Sequence, residues 1–405
     1  MSVDTSGDGS ADLTLPLAGT TVVSFEQAVA APYCTRLLAD LGARVIKVEE
    51  PRHGDFARHF DDAVDGLSSH FAWLNRNKLS VALDCRRPEV RPVIERLLDR
   101  TDAVVQNLAP DAARRHRLDA KTLVRDRPGL VAVDLSGYGS GGTLEHRRAY
   151  DLLAQAEAGS CATTGTADAP AKPGIPIADI GAGLHAATAI LAALLRRART
   201  GRGAALEVSL FDTATDFLGF ELLHARYTGQ HRPPLGMSST VVAPYGAFST
   251  KDGRLVVFGV TNDAGWRRMA VDLLERPDLA GDPTLATNAQ RCAQRQRIDE
   301  AITAWTSTRD LDEICALADA ARVGSAALNR PVDVVAHPHL TSRSRWQEVD
   351  SPVGSIASLL PPVISSDWRT PLEAVPALGS HTASVLADLG FPSDFYESLR
   401  SSGAA

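Results

Sequence analysis

The sequence predicts an α/β protein in which a doubly wound, Rossmann-like large domain is joined to a smaller α+β domain. Three observations support this fold class. Strand and helix patterns alternate from residue 20 to residue 136, a long apolar helix follows near residue 180, and a β-hairpin near residue 252 breaks the alternation. A chain of 405 residues is long enough for two such domains.

The alternation begins with an apolar strand at residues 20–25, a helix with Pro32 near its start and Gly42 after its end, and a strand at residues 44–48. Two strands joined in this way by one helix are parallel. The pattern continues with strands at residues 80–84, 103–106 and 130–136 and with helices at residues 88–100 and near residue 120. Ligands bind at the carboxyl ends of such strands, and the first loop there lacks the GxGxxG pattern of a dinucleotide cofactor site.

The later part of the chain completes this domain and adds the smaller one. The further predicted elements are a helix at 149–158, the long helix, a strand at 205–210, a helix at 212–224, a hairpin at 245–250 and 254–260, and helices at 264–274, 298–305, 311–321 and 382–389. The predicted divisions are a disordered tail over residues 1–14, a large domain over 15–230 with 345–405, a small α+β domain over 240–330, and a return linker over 331–345.

The composition argues against several classes of function. A formal net charge of −7 disfavours a nucleic-acid partner. The five cysteines are widely spaced and lack metal-ligand spacing, so we expect reduced thiols in the cytoplasm and no bound metal. The most apolar window, residues 190–195, is too short to cross a membrane, and the first residues do not resemble a signal peptide. The sequence therefore predicts a cytoplasmic protein with no membrane segment.

Asp179 stands at the start of the long helix. A carboxylate at this place commonly caps the helix, and the helix end also keeps such a carboxylate ionised and can hold an anion nearby. Gly181 and Gly183 weaken the first turn, and their missing side chains would allow a ligand to approach the backbone. Capping and catalysis are compatible roles for Asp179, whereas His185 is expected to be a core histidine.

Several motifs occur in the order found in one enzyme family. They are AVAAP at residues 28–32, LGARVIKVE at 41–49, LNRNK at 74–78, QNL at 106–108, SGYG at 136–139, AYD at 149–151, Asp179 with its helix, and TGRG at 200–203. Together they resemble the class III CoA-transferases, the superfamily of formyl-CoA, carnitine and succinyl-CoA:dicarboxylate CoA-transferases. The resemblance covers nearly the whole chain from about residue 15.

The resemblance implies an interlocked, ring-like homodimer whose substrates are CoA thioesters and a small carboxylic acid. It makes Asp179 the catalytic nucleophile and puts the loop at residues 28–30 close to the thioester. By position in the family's motifs, the CoA-binding residues are Ala28, Val29, Leu74, Lys78, Asn107, Leu108, Arg115 and Tyr150. Lys78 and Arg115 would contact the phosphates of CoA through charge-assisted hydrogen bonds.

Two departures from the family's pattern narrow the activity. Glu50 stands where many relatives have Arg, so Arg52 or Arg58 would have to supply that contact with a CoA phosphate. The glycine run of the formyl-CoA transferases is missing from residues 239–247, which disfavours exchange between formyl-CoA and oxalate.

The loop at residues 26–32 is most similar to family members that use succinyl-CoA and C4 to C5 dicarboxylates such as itaconate, mesaconate, citramalate or malate, and Gln27 is a candidate for binding the acceptor. Transfer would proceed through an aspartyl anhydride and an aspartyl-CoA thioester at Asp179. Backbone N–H groups near Gly181 and in the loop at residues 28–31 are candidates for binding the oxyanion.

Two alternatives to transfer stay open. A 2-methylacyl-CoA racemase of the same fold carries His at the position of Tyr150, and a phenol is a poor base at neutral pH. A CoA-binding protein without catalysis is the other alternative. The tyrosine and Asp179 together favour transfer.

Overall fold

The computed structural model describes residues 15–405, so the tail predicted at residues 1–14 lies outside the described part of the chain. In chain order the strands are β1 (Thr21–Phe25), β2 (Arg44–Glu49), β3 (Lys78–Ala82), β4 (Ala103–Gln106), β5 (Val131–Ser136), β6 (Gly165–Thr166), β7 (Ala169–Pro170), β8 (Ala204–Ser209), β9 (Tyr245–Ser249), β10 (Leu255–Gly259), β11 (Ser325–Ala327), β12 (Trp346–Ser351) and β13 (Gly354–Leu359).

The α-helices are α1 (Ala30–Asp40), α2 (Ser69–Asn75), α3 (Arg91–Leu98), α4 (Pro110–His116), α5 (Ala120–Asp126), α6 (Asp151–Ala158), α7 (Ile177–Thr200), α8 (Leu210–Phe217), α9 (Gly219–Thr228), α10 (Asp263–Arg268), α11 (Pro277–Gly281), α12 (Asn288–Ala293), α13 (Arg295–Thr306), α14 (Leu311–Ala320), α15 (Pro331–Val335), α16 (Pro338–Ser342), α17 (Thr382–Asp388) and α18 (Ser393–Ser402). Single turns of 3-10 helix occur at Phe56–His59, Pro88–Val90, Ser160–Thr163 and Pro283–Leu285, and a π-helical turn at Met269–Leu273.

The first compact unit, residues 15–159, 173–219 and 344–405, is built on a six-stranded sheet. Its order is β3-β2-β1-β4-β5-β8, and every neighbouring pair is parallel. Val22 of β1 lies opposite Val45 of β2 on one side and Ala103 of β4 on the other. The strand order therefore reverses between β1 and β4, which is the doubly wound arrangement expected from the alternating sequence.

Alternate residues of the strands face two separate apolar layers. Val22, Val45 and Val105 pack with α1 and α7, whereas Val23, Ile46 and Val104 face the opposite layer, which α3, α5, α17 and α18 cover. Both layers are buried, so the strands read as continuous apolar runs in the sequence.

The outer edge of β3 is covered by the C-terminal segment of the chain. The backbone N–H of Ser80 donates to Nδ1 of His381 at 3.2 Å, and that of Ala82 donates to Oγ1 of Thr382 at 3.0 Å. Just beyond the strand, the N–H of Asp84 donates to the carbonyl of Ala404 at 2.8 Å. Residues 379–404 thus protect an edge strand that would otherwise expose unpaired donors.

Helix α7 is longer than its most apolar window suggested. It has 24 residues, and a window of it reaches a mean hydropathy of 1.6, so by length and composition alone it could cross a membrane. The length expected from residues 190–195 was therefore too short, and the absence of a membrane segment stays a prediction. Ala182, Ala186 and Ile190 of α7 are fully buried in the layer shared with α1 and the sheet, which is the packing of a core helix.

Two glycines allow neighbouring helices to approach α7 closely. A Cβ atom at Gly181 would lie 2.5 Å from the Phe217 ring of α8, and one at Gly183 would lie 2.6 Å from the carbonyl oxygen of Ala30 in α1. These glycines are explained by helix packing. The expectation that Gly181 leaves room for a ligand does not agree with this placement.

The second compact unit consists of residues 160–172 and 220–343. Its three-stranded antiparallel sheet has the order β11-β10-β9, and Val257 of β10 lies opposite Ala247 of β9, as in the predicted hairpin. Phe258, Trp266 and Ile302 are buried in its core.

The unit boundaries differ from those expected from the sequence. Residues 160–172 and 220–230, which the sequence assigned to the large domain, pack with the second unit, where Thr166 bridges to Leu235. The sequence also missed α18 and the hairpin of β12 and β13, which follows directly after the predicted return linker. The predicted helix at residues 212–224 is two helices, α8 and α9.

Candidate active site

A cleft of about 390 Å³ opens at the carboxyl ends of β1, β4 and β5, beside the first turn of α7. It lies where the strand order reverses, which is the place where doubly wound sheets bind their ligands. The residues singled out from the sequence that line it are Gln27, Ala28, Asn107, Leu108, Tyr150 and Asp179. The fold therefore brings together side chains that are up to 152 positions apart in the sequence (from 27 to 179).

Asp179 is the third residue of α7 and does not cap the helix. The cap is Asp151, the first residue of α6, whose Oδ1 accepts hydrogen bonds from the N–H groups of Ala178 at 3.0 Å and Asp179 at 3.3 Å. The capping role expected for Asp179 therefore belongs to Asp151, for which the family resemblance implied no role. The Asp179 carboxylate remains free of hydrogen bonds within residues 15–405 and lines the cleft.

Burial, together with the negative charge of Asp151, raises the pKa of Asp179 to about 7. This is the opposite of the ionised carboxylate expected from the helix end alone, since Asp151 already occupies the first N–H groups and adds a like charge. Carboxyl groups with a strongly raised pKa in a cleft are common at catalytic sites.

The loop of Gln27 and Ala28, which lines the same cleft as Asp179, is held by side chains from two other loops. Oδ1 of Asn107 accepts from the N–H of Gln27 at 2.9 Å, and Nδ2 of Asn107 donates to the carbonyl of Gln27 at 2.8 Å. Oδ1 of Asp55 accepts from the N–H of Ala28 at 2.9 Å, and Ala28 has a left-handed φ of 63°. The loop conformation is therefore fixed before any ligand binds.

The comparisons with known proteins agree with this geometry. The sequence pattern of CoA-transferase family III matches residues 17–382. The chain belongs to CoA-transferase family III. An acyl-CoA transferase of Fusarium pseudograminearum is 32% identical, over 96% of this chain and 88% of that protein. A succinate–glutarate CoA-transferase of Agrobacterium fabrum is 30% identical, over 92% of this chain and 96% of that protein.

A solved structure has the same fold as this family III CoA-transferase. It is the crystal structure of a CAIB/BAIF family protein from Brucella suis, which matches with a TM-score of 0.80 and 31% identity over 92% of this chain and 99% of that one. Other relatives are named as succinyl-CoA transferases for D-citramalate, L-malate and mesaconate. The protein is thus an enzyme of a family whose substrates are CoA thioesters and carboxylic acids.

In this CoA-transferase, Lys78 lies beneath the loop and not in the cleft. Its Nζ is fully buried and donates to Glu26 at 2.8 Å, to the Pro32 carbonyl at 3.0 Å and to Asn75 at 3.1 Å. An ammonium group has three N–H donors, so no donor is left for a phosphate. The predicted contact between Lys78 and CoA does not agree with this placement.

Glu26, Lys78 and Lys47 form a buried ionic cluster that supports the loop. Burial alone would raise the pKa of Glu26, but the two lysines outweigh it and hold that pKa below its usual value. Lys47 also contacts Asp55 at 2.7 Å, so the cluster connects to the side chain that holds Ala28. The charged residues of this motif act on the site through the backbone of the loop.

The other residues that were singled out from the sequence do not all line the cleft. Leu74 and Val29 are buried and do not line the cleft, whereas Arg115 is exposed on α4 and makes no hydrogen bond or ion pair within residues 15–405. Tyr150 lines the cleft and is 63% exposed. His185 is not a core residue, since its side chain is 47% exposed and lies 3.9 Å from Asp216.

Arg52 and Arg58 were expected to supply the phosphate contact that many relatives make with an arginine at the position of Glu50. Arg58 already binds other groups of the protein. It forms two hydrogen bonds of 2.9 Å with Glu49 and a third, of 3.2 Å, with the carbonyl of Pro376. Arg52 is mostly exposed and pairs with Glu50 itself at 3.3 Å. Of the two, Arg52 is the cation that could still reach a ligand.

Sequence analysis missed Arg148, which lines the cleft next to Tyr150. It makes no hydrogen bond or ion pair with any residue from 15 to 405, whereas the neighbouring Arg147 pairs with Glu157 at 3.2 Å. The signal available in the sequence was a pair of arginines directly before a motif that resembles a CoA-binding segment. Within residues 15–405, no cluster of three or more His, Cys, Asp or Glu side chains is arranged to hold a metal ion.

Proposed function

We propose that this enzyme moves CoA from succinyl-CoA to a small C4 to C5 dicarboxylate, such as itaconate, mesaconate, citramalate or malate, with Asp179 as the nucleophile. The observation that supports this most directly is the free Asp179 carboxylate, which lines the same cleft as the fixed loop of Gln27 and Ala28. Relatives named for glutarate, citramalate, malate and mesaconate support the class of acceptor.

The reaction follows from the chemistry of a carboxylate and a thioester. An oxygen of Asp179 attacks the acyl carbon, the C–S bond breaks, and CoA leaves as a thiolate from a mixed anhydride. The thiolate attacks the carboxyl carbon of Asp179 and releases the donor acid, which leaves an aspartyl-CoA thioester. The acceptor carboxylate then reverses these steps and regenerates Asp179. No proton is consumed overall, and the energy of the thioester is preserved.

The developing oxyanion needs hydrogen-bond donors. The N–H groups of Gln27 and Ala28 are occupied by Asn107 and Asp55, and Gly181 lies within α7, where its N–H is part of the helix. Ala30 and Ala31, at the start of α1, have N–H groups without a hydrogen-bond partner within residues 15–405, and Ala30 lines the cleft. These two N–H groups are our candidates for oxyanion stabilisation.

Mass spectrometry of CoA esters tests the proposal. The purified enzyme is incubated with succinyl-CoA and, separately, with each of a panel of C2 to C6 mono- and dicarboxylates, and the new CoA ester is measured. We expect CoA esters of C4 to C5 dicarboxylates. Exchange of the α-proton of a 2-methylacyl-CoA with no transfer would identify a racemase, and CoA binding without any turnover would identify a binding protein.

Transfer should depend on pH through Asp179. Because only the carboxylate attacks the thioester and the pKa of Asp179 is raised to about 7, kcat/KM should fall about tenfold per pH unit below that value and reach a plateau above it. Steady-state kinetics with succinyl-CoA from about pH 5 to pH 9, with CoA binding measured over the same range, checks this. A plateau that extends down to about pH 5 would contradict it.

Arg148 should bind the CoA part of every substrate. Arg148→Ala should raise KM for each CoA ester alike by on the order of 10- to 100-fold, the equivalent of about 1.5 to 3 kcal/mol for a lost charge-assisted contact with phosphate. Arg199→Ala is the matched control, because Arg199 is exposed in the last turn of α7 and does not line the cleft, and it should have a much smaller effect. Loss of a single acceptor with unchanged KM for CoA esters would place Arg148 in the acyl pocket instead.

The homodimer and the cytoplasmic location stay predictions. Apolar side chains on the surface of the first unit are consistent with further burial in an oligomer, since Leu153 of α6 is 47% exposed and Leu195 of α7 is 62% exposed.

A further inference from the structure

Asp151 connects helix α6 to the first turn of α7. Its Oδ1 accepts two backbone hydrogen bonds, from Ala178 at 3.0 Å and from Asp179 at 3.3 Å. Its Oδ2 accepts a hydrogen bond from Nε2 of Gln155 at 2.6 Å, and Gln155 is completely buried. Both oxygens of Asp151 are therefore fixed, one by α7 and one by α6.

The first turn of α7 depends on the two backbone hydrogen bonds that Asp151 accepts. Its N-cap residue, Pro176, has no side-chain group that could accept a hydrogen bond. The N–H of Ile177 donates to the carbonyl of Ile175, and that of Ile180 donates to the carbonyl of Pro176. Asp151 takes the two N–H groups between them, so it sets the position of the Asp179 backbone.

Asp151 also places a negative charge beside the carboxyl group of Asp179, and this charge is one cause of the raised pKa of Asp179, after burial. The other titratable or charged groups lie on the elements packed around the first turn of α7. They are Glu145, His146, Arg147, Arg148 and Tyr150 before α6, Glu157 on α6, Tyr33, Cys34, Arg36 and Asp40 on α1, Asp212 and Asp216 on α8, Asp134 on β5 and Glu207 on β8. Asp151 is the charged group among them whose charge raises the pKa of Asp179.

We propose that Asp151 is a positioning residue for the nucleophile: it fixes the Asp179 backbone through the helix cap and, by its charge, favours the neutral acylated states of Asp179 over the free carboxylate. The inference rests on the proposed function. Asp179 carries its negative charge only before acylation and after release of the product, because the anhydride and the thioester are both neutral at this side chain. A neighbouring carboxylate destabilises only the charged states, and it makes the attacking oxygen more basic.

The variant Asp151→Asn separates the charge from the cap. The amide oxygen can still accept from Ala178 and Asp179, since Asn caps helices about as well as Asp. Its NH₂ group would face the amide of Gln155, and Oε1 of Gln155 is buried and has no partner within residues 15–405. A rotation of the Gln155 amide would therefore satisfy the new donor, so the variant is expected to fold.

The first chemical step is measured alone, by incubating the enzyme with succinyl-CoA in the absence of an acceptor. Hydroxylamine traps the acylated Asp179. The modified Asp179 peptide is then quantified by mass spectrometry from about pH 5 to about pH 9. In wild type we expect adduct formation to rise through about pH 7. In Asp151→Asn the midpoint should fall by about one pH unit, and the rate above pH 8 should be lower. Asp151→Glu, which keeps the charge, should keep the wild-type midpoint.

Glu157→Gln removes a charge from the same helix at the surface and should leave the midpoint unchanged. The same midpoint in wild type and Asp151→Asn, with normal adduct formation in both, would overturn the role of Asp151 and leave the proposed function standing. Absence of an Asp179 adduct in wild type would overturn the transfer mechanism, and this inference with it. Should Asp151→Asn unfold, the variant Asp151→Ser, which also retains a capping oxygen, is expected to show the lowered midpoint.

Discussion

Replacing Asp179 with Asn should lower CoA transfer by several orders of magnitude and leave the protein at least as stable as the wild type at about pH 8. The amide has no oxygen anion, so the acyl group cannot be attacked. The expected gain in stability has a separate cause. Because the pKa of Asp179 is raised in the folded protein, the folded state loses stability as pH rises from the usual range of aspartate through about 7, and Asn removes this loss.

Turnover of succinyl-CoA and urea unfolding, both at about pH 8, measure the two effects, with the intact mass checked for deamidation. Asp216→Asn is the matched control, because Asp216 is exposed on α8, and its carboxylate lies 3.9 Å from His185 and makes no hydrogen bond within residues 15–405. An active Asp179→Asn enzyme would refute the nucleophilic role. A large loss of stability in this variant would instead mean that Asp179, and not Asp151, holds the start of α7.

Replacing Lys78 with Ala should destabilise the protein by about 3 to 5 kcal/mol, which is the second large effect we expect. The change leaves the fully buried Glu26 with a lost partner and opens space below the loop of Gln27 and Ala28. Burial, with Lys47 adding to it, lowers the pKa of Lys78 to about 8 even though the charge of Glu26 raises it, so the buried ammonium group depends on that carboxylate. Urea unfolding at about pH 7 measures the loss.

Lys121→Ala is the control for Lys78→Ala, since Lys121 is exposed on α5 and should change stability by less than about 0.5 kcal/mol. A Lys78→Ala enzyme of normal stability that has a raised KM for every CoA ester would contradict the structural role. Such a result would support the contact between Lys78 and a CoA phosphate that was expected from the sequence.

The sequence was sufficient for the strands of the six-stranded sheet because their signals are local. The apolar runs of β1, β2 and β4, and helix α1 between the first two, follow from neighbouring residues, and the bounds of these strands agree with the structure to within about two residues. The resemblance added the position of Asp179 and of the loop at Gln27 and Ala28, and the cleft contains both.

What could not be predicted depends on contacts between distant parts of the chain. The motif LNRNK resembled a CoA-binding segment, yet in the structure Arg76 and Asn77 bind the buried Asp40, and Lys78 binds Glu26. Nothing in the local pattern distinguishes a buried lysine from an exposed one. In the same way, the sequence around Asp179 is typical of a helix cap. The hydrogen bond from the Ala178 N–H to Asp151 of α6 shows that another residue takes that role.

The cover that residues 379–404 provide for β3 has a consequence for the order in which the protein folds during synthesis. The second unit lies mostly within residues 220–343, and these residues leave the ribosome before residues 379–404 do. Until residue 404 has been made, the parallel sheet has an unprotected edge at β3, and exposed edges are sites of association between chains. The large unit therefore completes its fold after the second unit, although it contains β1, the first strand within residues 15–405. We expect nascent chains that stall between residues 343 and 379 to require chaperones.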